Sequence, residues 1–247
     1  MNALEIRSLD KRFGGLHVTR DVSIGIAKGE RLALIGPNGA GKTTLVNLIS
    51  GVLEPSGGEV RLAGDEITRL SQPQRVARGL ARTFQITTLP QHMPVLHLVE
   101  MAIHQRDGVA ARLWRSIDAL PAVRSEALEL LDALGLSPIA ARLPGELAYG
   151  EQRLVELALA LALRPQVLLL DEPMAGVPRS EGHTVLQALD RLPADLAVLI
   201  IEHDMDLVFS FAHRIVVLAE GAVLAEGGPE DIRRHPAVRA AYLGTRE

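Results

Sequence analysis

Residues Gly36–Thr43 read GPNGAGKT and match the spacing G-x-x-x-x-G-K-[ST] at every fixed position. Glycines so spaced let consecutive backbone N–H groups turn inward around anionic oxygens, and a helix starting there directs its positive end at them. Lys42 then supplies a point charge for β- and γ-phosphates, and Thr43 a hydroxyl for Mg²⁺. Pro37, Asn38, Gly39, Ala40, Gly41 and Thr44 complete the candidate phosphate-binding set. A second signal is the apolar run Val167–Leu170 closed by Asp171-Glu172. Two carboxylates at the end of a buried strand lie on the sheet edge that carries phosphate loops. There Asp171 would hold Mg²⁺ through water, and Glu172 would polarise an attacking water.

The pattern around these residues predicts the elements that position them. Leu4–Ser8 and Val22–Ile26 alternate as half-buried strands do, and Arg31–Ile35 is an apolar run between Gly29 and Gly36. A helix is predicted over Lys42–Ser50 and stopped by Gly51. Gly57–Leu62 and Ala81–Phe84 read as further strands. Helical periodicity then takes over, clearest in Leu98–His104, Val123–Leu134 and Glu151–Leu163. Val167–Leu170 and Ala197–Ile201 are dense apolar runs separated by a helix over Ser180–Leu189, as in a buried parallel sheet. Ile215–Ala219 and Ala222–Glu226 form a hairpin across Glu220-Gly221, and a helical tail ends at Tyr242. The expected fold is α/β, with a catalytic core over about 1–85 and 161–226, a helical insertion over about 86–160 and a tail over about 227–247.

Composition narrows the function classes. The chain has 247 residues, 47% hydrophobic and 23% charged, which excludes overall disorder. Its formal net charge of −4 gives no electrostatic reason to expect a nucleic-acid partner. The absence of cysteine excludes disulfides, thiolate metal sites and thiol nucleophiles. No apolar stretch approaches the roughly 18 residues of a membrane span. Only three of the 26 basic residues are lysines, Lys11, Lys28 and Lys42, which makes the lysine of the glycine-rich loop more telling. His92, His97 and His104 do not read as a metal site, since their spacing is not helical and no acidic partner lies close. Arg233-Arg234 reads as a solvated helix end.

Together these motifs resemble the ATP-binding subunit of ABC transporters over essentially the whole chain. The resemblance implies a P-loop NTPase (RecA-like) core with an antiparallel β subdomain and an inserted α-helical signalling subdomain, binding ATP and Mg²⁺. Phe13 stands where the family sets an aromatic ring against adenine; a core aromatic is the other reading of that residue. Gln85, in Arg82-Thr83-Phe84-Gln85, matches the glutamine that contacts Mg²⁺ and water. His203, in Ile201-Glu202-His203-Asp204, matches the switch histidine at the γ-phosphate. Leu147–Gln152 reads LAYGEQ at the signature position, where Ala148, Gly150 and Glu151 would meet the nucleotide of an opposite subunit. The LAYG, RTFQ and IEHDM strings and the ending Ala240-Ala241-Tyr242-Leu243-Gly244 resemble the branched-chain amino acid importer branch, LivG-type rather than LivF-type.

That branch implies partners: integral-membrane permeases, a sister ATPase or second copy of this chain, and indirectly a substrate-binding protein. It also implies a peripheral place on the cytoplasmic face of the inner membrane, and no nucleic acid. Rival readings are a lipopolysaccharide-type exporter ATPase and a soluble ABC-type ATPase; a P-loop kinase or GTPase would leave Gly150 and His203 without a use. Two strings depart from the family. Pro178, in Ala175-Gly176-Val177-Pro178-Arg179, replaces the polar residue of the loop that signals between subunits, and Met93–Leu98 differs where the permease groove is built.

Overall fold

The computed structural model describes residues 2–83, 89–108 and 121–240. Their contacts divide the chain into two compact units, one of Met1–Arg82, Gln166–Glu172 and Pro193–Glu247, the other of Thr83–Pro165 and Pro173–Leu192. The second unit thus takes in Pro173–Leu192, a segment that the sequence pattern alone groups with the core.

The strands all lie in the first unit: β1 (Asn2–Phe13), β2 (Leu16–Ala27), β3 (Arg31–Ile35), β4 (Gly57–Leu62), β5 (Asp65–Glu66), β6 (Leu80–Arg82), β7 (Val167–Asp171), β8 (Ala197–Ile201), β9 (Arg214–Ala219) and β10 (Ala222–Gly227). They form an antiparallel sheet of order β2-β1-β4-β5 and a mainly parallel sheet of order β10-β9-β3-β8-β7-β6. Strands β7 and β8 are buried throughout, as their unbroken aliphatic runs require. Each aliphatic side chain so buried contributes roughly 2 kcal/mol through lost water contact. β1 is longer than the expected Leu4–Ser8 because its ladder with β2 shifts register after Ile6 and again after Leu9. Ser8, at φ 44, lies in the shift between Ile6 and Leu9, and Leu4, Ile6 and Leu9 all reach the core although their spacing is not strictly alternate. β6 is one residue earlier and shorter than expected, and Phe84 lies outside the described residues.

Helix α1 (Lys42–Ser50) ends at Gly51, whose N–H donates to the carbonyls of Asn47 and Leu48. The carbonyls of Leu48 and Ile49 accept from Arg75 Nη1 at 2.7 and 2.5 Å. Arg75, on α2 (Gln72–Ala77), is 1% exposed, and its other partners are the carbonyls of Leu70 and Thr68. Burial pushes its guanidinium below the ordinary arginine value. The negative end of α1 provides a compensating partner without a carboxylate.

The second unit is helical: α3 (Val95–Arg106), α4 (Pro121–Ala133), α5 (Tyr149–Ala162) and α6 (Arg179–Asp190). α3 begins directly after Pro94, which lies at its N-cap. Arg106 ties three of these helices, donating to both Glu126 oxygens at 2.5 and 3.0 Å and to the Ala162 carbonyl at 3.0 Å. His97 and His104 both fall on α3, and Glu100 lies 4.0 Å from His97 Nε2. Their spacing is therefore helical and an acid is near, correcting the reading of those histidines; no three-residue metal cluster forms among the described residues. The first unit adds α7 (Met205–Phe211) and α8 (Pro229–Arg234); Arg233 and Arg234 each lie 3.7 Å from Glu230. Tyr242, expected to end the tail, lies outside the described residues.

Candidate nucleotide-binding site

The glycine-rich turn joins β3 to α1 in the first unit. A Cβ at Gly36 would stand 2.2 Å from the Leu218 carbonyl oxygen, and one at Gly41 (φ 97) would stand 2.8 Å from that of Val18. No residue with a side chain fits either position without moving β9 or β2. The turn between β9 and β10 braces the loop, since Gly221 N–H donates to the Ala40 carbonyl and Arg20 N–H to the Gly221 carbonyl. Lys42 is 8% exposed, and its Nζ donates to the carbonyls of Gly36 and Pro37 at 2.8 and 3.1 Å. Burial holds its ammonium below the ordinary lysine value, and the charge of Glu172 partly opposes that. A buried cation that donates to neutral carbonyls has donors it could turn to an anion. Thr43 is exposed beside it, Asn38 and Gly39 are exposed at the crest of the loop, and Thr44 is half-buried.

Asp171 and Glu172 close β7 and face different surroundings. The Asp171 carboxylate is buried, and its Oδ2 accepts from Arg82 Nη2 at 2.6 Å. Glu172 has φ 50, in the left-handed region, its N–H donates to the Ile201 carbonyl at 2.9 Å, and its side chain is 20% exposed. Glu172 Oε1 lies 2.8 Å from His203 Nε2, so the imidazole carries its proton on that nitrogen when it donates to the ionised carboxylate. His203 follows β8 and is fixed on both sides: its N–H donates to buried Glu202, and the next residue, Asp204, caps α7 by accepting from the N–H groups of Asp206 and Leu207. Thr43 hydroxyl and Asp171 carboxylate are hard oxygen donors of the kind Mg²⁺ takes. Phe13 ends β1 with 46% of its surface exposed, and Lys11 Nζ lies 5.0 Å from its ring centroid, so it is an accessible ring rather than a core aromatic. Gln85 lies outside the described residues.

The signature residues belong to the second unit. α5 starts two residues earlier than expected, at Tyr149, so Gly150 sits within its first turn. Ala148 is the N-cap; its N–H donates to Glu151 Oε2 at 2.9 Å, and no serine hydroxyl returns the bond. Gly150 N–H donates to Glu181 Oε2 at 2.7 Å, a carboxylate on the helix start. Tyr149 is accommodated because Gly176 faces it, where a Cβ would come within 3.0–3.1 Å of the ring. Its hydroxyl accepts from Arg153 Nη2 at 2.8 Å. Pro178 forms the N-cap of α6, its carbonyl accepting from the N–H groups of Glu181 and Gly182. Arg82, Glu181 and Arg153 have no role in the motif reading. Arg82 stands inside the quoted string RTFQ, and a charge closing an apolar strand was the available signal.

Residues 19–175 match the ABC transporter family, and residues 222–247 match the branched-chain amino acid ATP-binding cassette transporter family. The high-affinity branched-chain amino acid transport ATP-binding protein BraF of Pseudomonas aeruginosa is 40% identical over 98% of this chain and 97% of its own length. The LivG protein of Escherichia coli, of the same description, is 39% identical over 98% of this chain and 97% of its own. The ADP conformation of MJ1267, an ATP-binding cassette of an ABC transporter, superposes with a TM-score of 0.85 at 30% identity, covering 99% of each chain. With the phosphate loop, the signature helix and the paired carboxylates in this order, the chain belongs to the ATP-binding cassettes of ABC transporters, in the branched-chain amino acid branch.

Proposed function

We propose that this cassette hydrolyses ATP to power uptake of branched-chain or related amino acids through partner permeases, from the cytoplasmic face of the inner membrane. The observation that carries the hydrolytic reading is the Glu172–His203 pair at 2.8 Å, at the same sheet edge as the Lys42 loop. Lys42 exchanges the carbonyls of Gly36 and Pro37 for β- and γ-phosphate oxygens. Thr43, Asp171 and Gln85 would hold Mg²⁺, which when bound neutralises charge between the β- and γ-phosphates. Glu172 accepts a proton from the attacking water, and His203 holds that carboxylate in place. Phe13 offers a ring face to adenine. The opening turn of α5, with Ala148, Gly150 and Glu151, would meet the γ-phosphate held by a second cassette, either another copy or a sister subunit. ATP would thus bridge two chains, and its cleavage would release them and rock the permeases.

Glu172→Gln tests the reading. Turnover is expected to fall by roughly 10²- to 10⁴-fold with ATP binding kept. The variant should elute as a dimer in ATP on gel filtration. Brisk hydrolysis by it removes Glu172 as the base. The same tagged variant, with ATP, is expected to bring down two multi-spanning permeases and a sister ATPase from its host's solubilised membranes. Recovery of only soluble partners, or of a lipopolysaccharide-type permease, defeats the importer assignment.

A further inference from the structure

Arg82 closes β6, next to β7, and the parallel register sets it opposite Leu169. Two residues further along β7 comes Asp171, on the same face of the sheet as Leu169 because side chains on a strand alternate. Register alone therefore makes Arg82 and Asp171 diagonal neighbours, although 89 positions separate them in the chain. The guanidinium uses this placement as a fork. Its Nη2 donates to Asp171 Oδ2 at 2.6 Å, and its Nη1 to Asn47 Oδ1 at 2.7 Å and Ser50 Oγ at 3.0 Å. Both members of the ion pair are nearly closed to water, with side chains 9% and 7% exposed. Asn47 and Ser50 lie in the last turns of α1, the helix whose first turn carries Lys42 and Thr43.

From this we infer that Arg82 is the positioning residue for the magnesium carboxylate. It clamps one oxygen of Asp171 and fixes the rotation of the carboxylate, so that Oδ1 is presented in one orientation. Through Asn47 and Ser50 it also fixes the distance between that carboxylate and α1, which carries the Thr43 hydroxyl. A planar guanidinium does this because its donors are rigidly spaced, whereas an ammonium reaches one partner at a time. Partners that orient a metal-binding carboxylate set metal affinity without touching the metal. The inference rests on Asp171 being the Mg²⁺-side carboxylate, so the test must separate the two claims.

The experiment uses the full chain carrying Glu172→Gln to arrest turnover, and reads nucleotide binding rather than activity. A fluorescent ATP analogue is titrated without Mg²⁺ and then at fixed nucleotide with rising Mg²⁺; Mn²⁺ uptake is followed in parallel by electron paramagnetic resonance. Arg82→Met is expected to raise the Mg²⁺ midpoint by about 10-fold or more, the usual effect of losing a partner that orients a metal ligand. Its metal-free nucleotide affinity should stay near that of the parent. Arg82→Lys should recover part of the loss, and Asn47→Ala, which leaves the Asp171 pair but removes one anchor, should shift the midpoint by only a few-fold. Asp171→Asn should shift it most.

If Asp171→Asn shifts the midpoint and Arg82→Met does not, the positioning role is wrong and the Asp171 assignment survives. If Asp171→Asn leaves the midpoint in place, the assignment fails and the inference with it. Equal losses of metal-free and metal-dependent binding in Arg82→Met mark a merely structural residue and also overturn the inference. Should Arg82→Met fail to fold, Asn47→Ala and Arg82→Lys decide: midpoints unchanged in both refute it.

Discussion

The loop before α1 and the opening turn of α5 are both helix starts with backbone N–H groups to offer, and they are finished in opposite ways. The loop stores a cation, Lys42, on its own carbonyls at 2.8 and 3.1 Å. The α5 turn holds an anion, Glu181, on the Gly150 amide at 2.7 Å. On the proposed reading, a phosphate arriving at the first site would meet a charge of opposite sign, already partly stripped of water. One arriving at the second would have to displace a carboxylate. The glycines differ accordingly: Gly41 has φ 97 under the Val18 carbonyl, while Gly150 is an ordinary helical residue whose added Cβ would meet a side chain and no backbone, Glu181 Oε2 at 2.8 Å and Glu181 Cβ at 3.1 Å. The first site is built into the backbone, and the second is set by one side chain.

The largest effect expected from this contrast is at Lys42. Lys42→Ala should weaken ATP binding by on the order of 10- to 100-fold, the worth of one charge-assisted contact. Unchanged affinity by calorimetry would mean that the loop amides alone hold the phosphates. Next come the glycines. Gly41→Ala should cost about 1–3 kcal/mol through left-handed strain and crowding, visible as a lowered Tm, and Gly150→Ala should cost less than about 1 kcal/mol. Equal losses at the two positions would erase the distinction.

A smaller change is expected at Glu181. Glu181→Gln replaces a charged acceptor on the Gly150 amide by a neutral one, about half as strong. In the Glu172→Gln background, ATP-driven self-association should tighten by roughly 3- to 10-fold, corresponding to a change near 1 kcal/mol. Sedimentation velocity at several ATP concentrations would reveal it, and weaker association would show Glu181 to be a support of the helix start instead.

Acid should act least. Hydrogen bonds from Arg106 hold Glu126 and Asp107 below the ordinary carboxylate range. Their contribution to the helical unit is complete above about pH 4–5, where even unfolded carboxylates are ionised, and is lost as pH falls through the lowered folded values. The loss is less than about 1 kcal/mol for so accessible a network, so far-UV circular dichroism should decline only gradually there. A sharp loss near pH 6 would point to groups other than these.

Contiguous chemistry was legible in the sequence and distant chemistry was not. GPNGAGKT specifies loop, lysine and helix start within a few residues, and Asp171-Glu172 after four aliphatic residues specifies a strand end. Only the first part of β1 shows in the pattern, because Ser8 at φ 44 interrupts the alternation between Ile6 and Leu9 and leaves the second half without a clean period. The role of Arg82 depends on strand order, since β6 reaches Asp171 only by lying beside β7. The Glu181 contact depends on α6 packing on α5, 31 positions from the glycine it occupies. Neither leaves a local trace, because pairing across a sheet or between helices is set by the whole fold.

The φ of 50 at Glu172 has a consequence for how such a chain changes under selection. Glycine takes that conformation freely, while a residue with a Cβ gives up about 1–2 kcal/mol to adopt it. The proposed base therefore occupies a position where its own removal relieves strain. Screening a library for thermal resistance alone would enrich glycine and asparagine there and drift toward durable, silent cassettes. Glutamate would persist at that position only in populations whose growth depends on what the cassette powers.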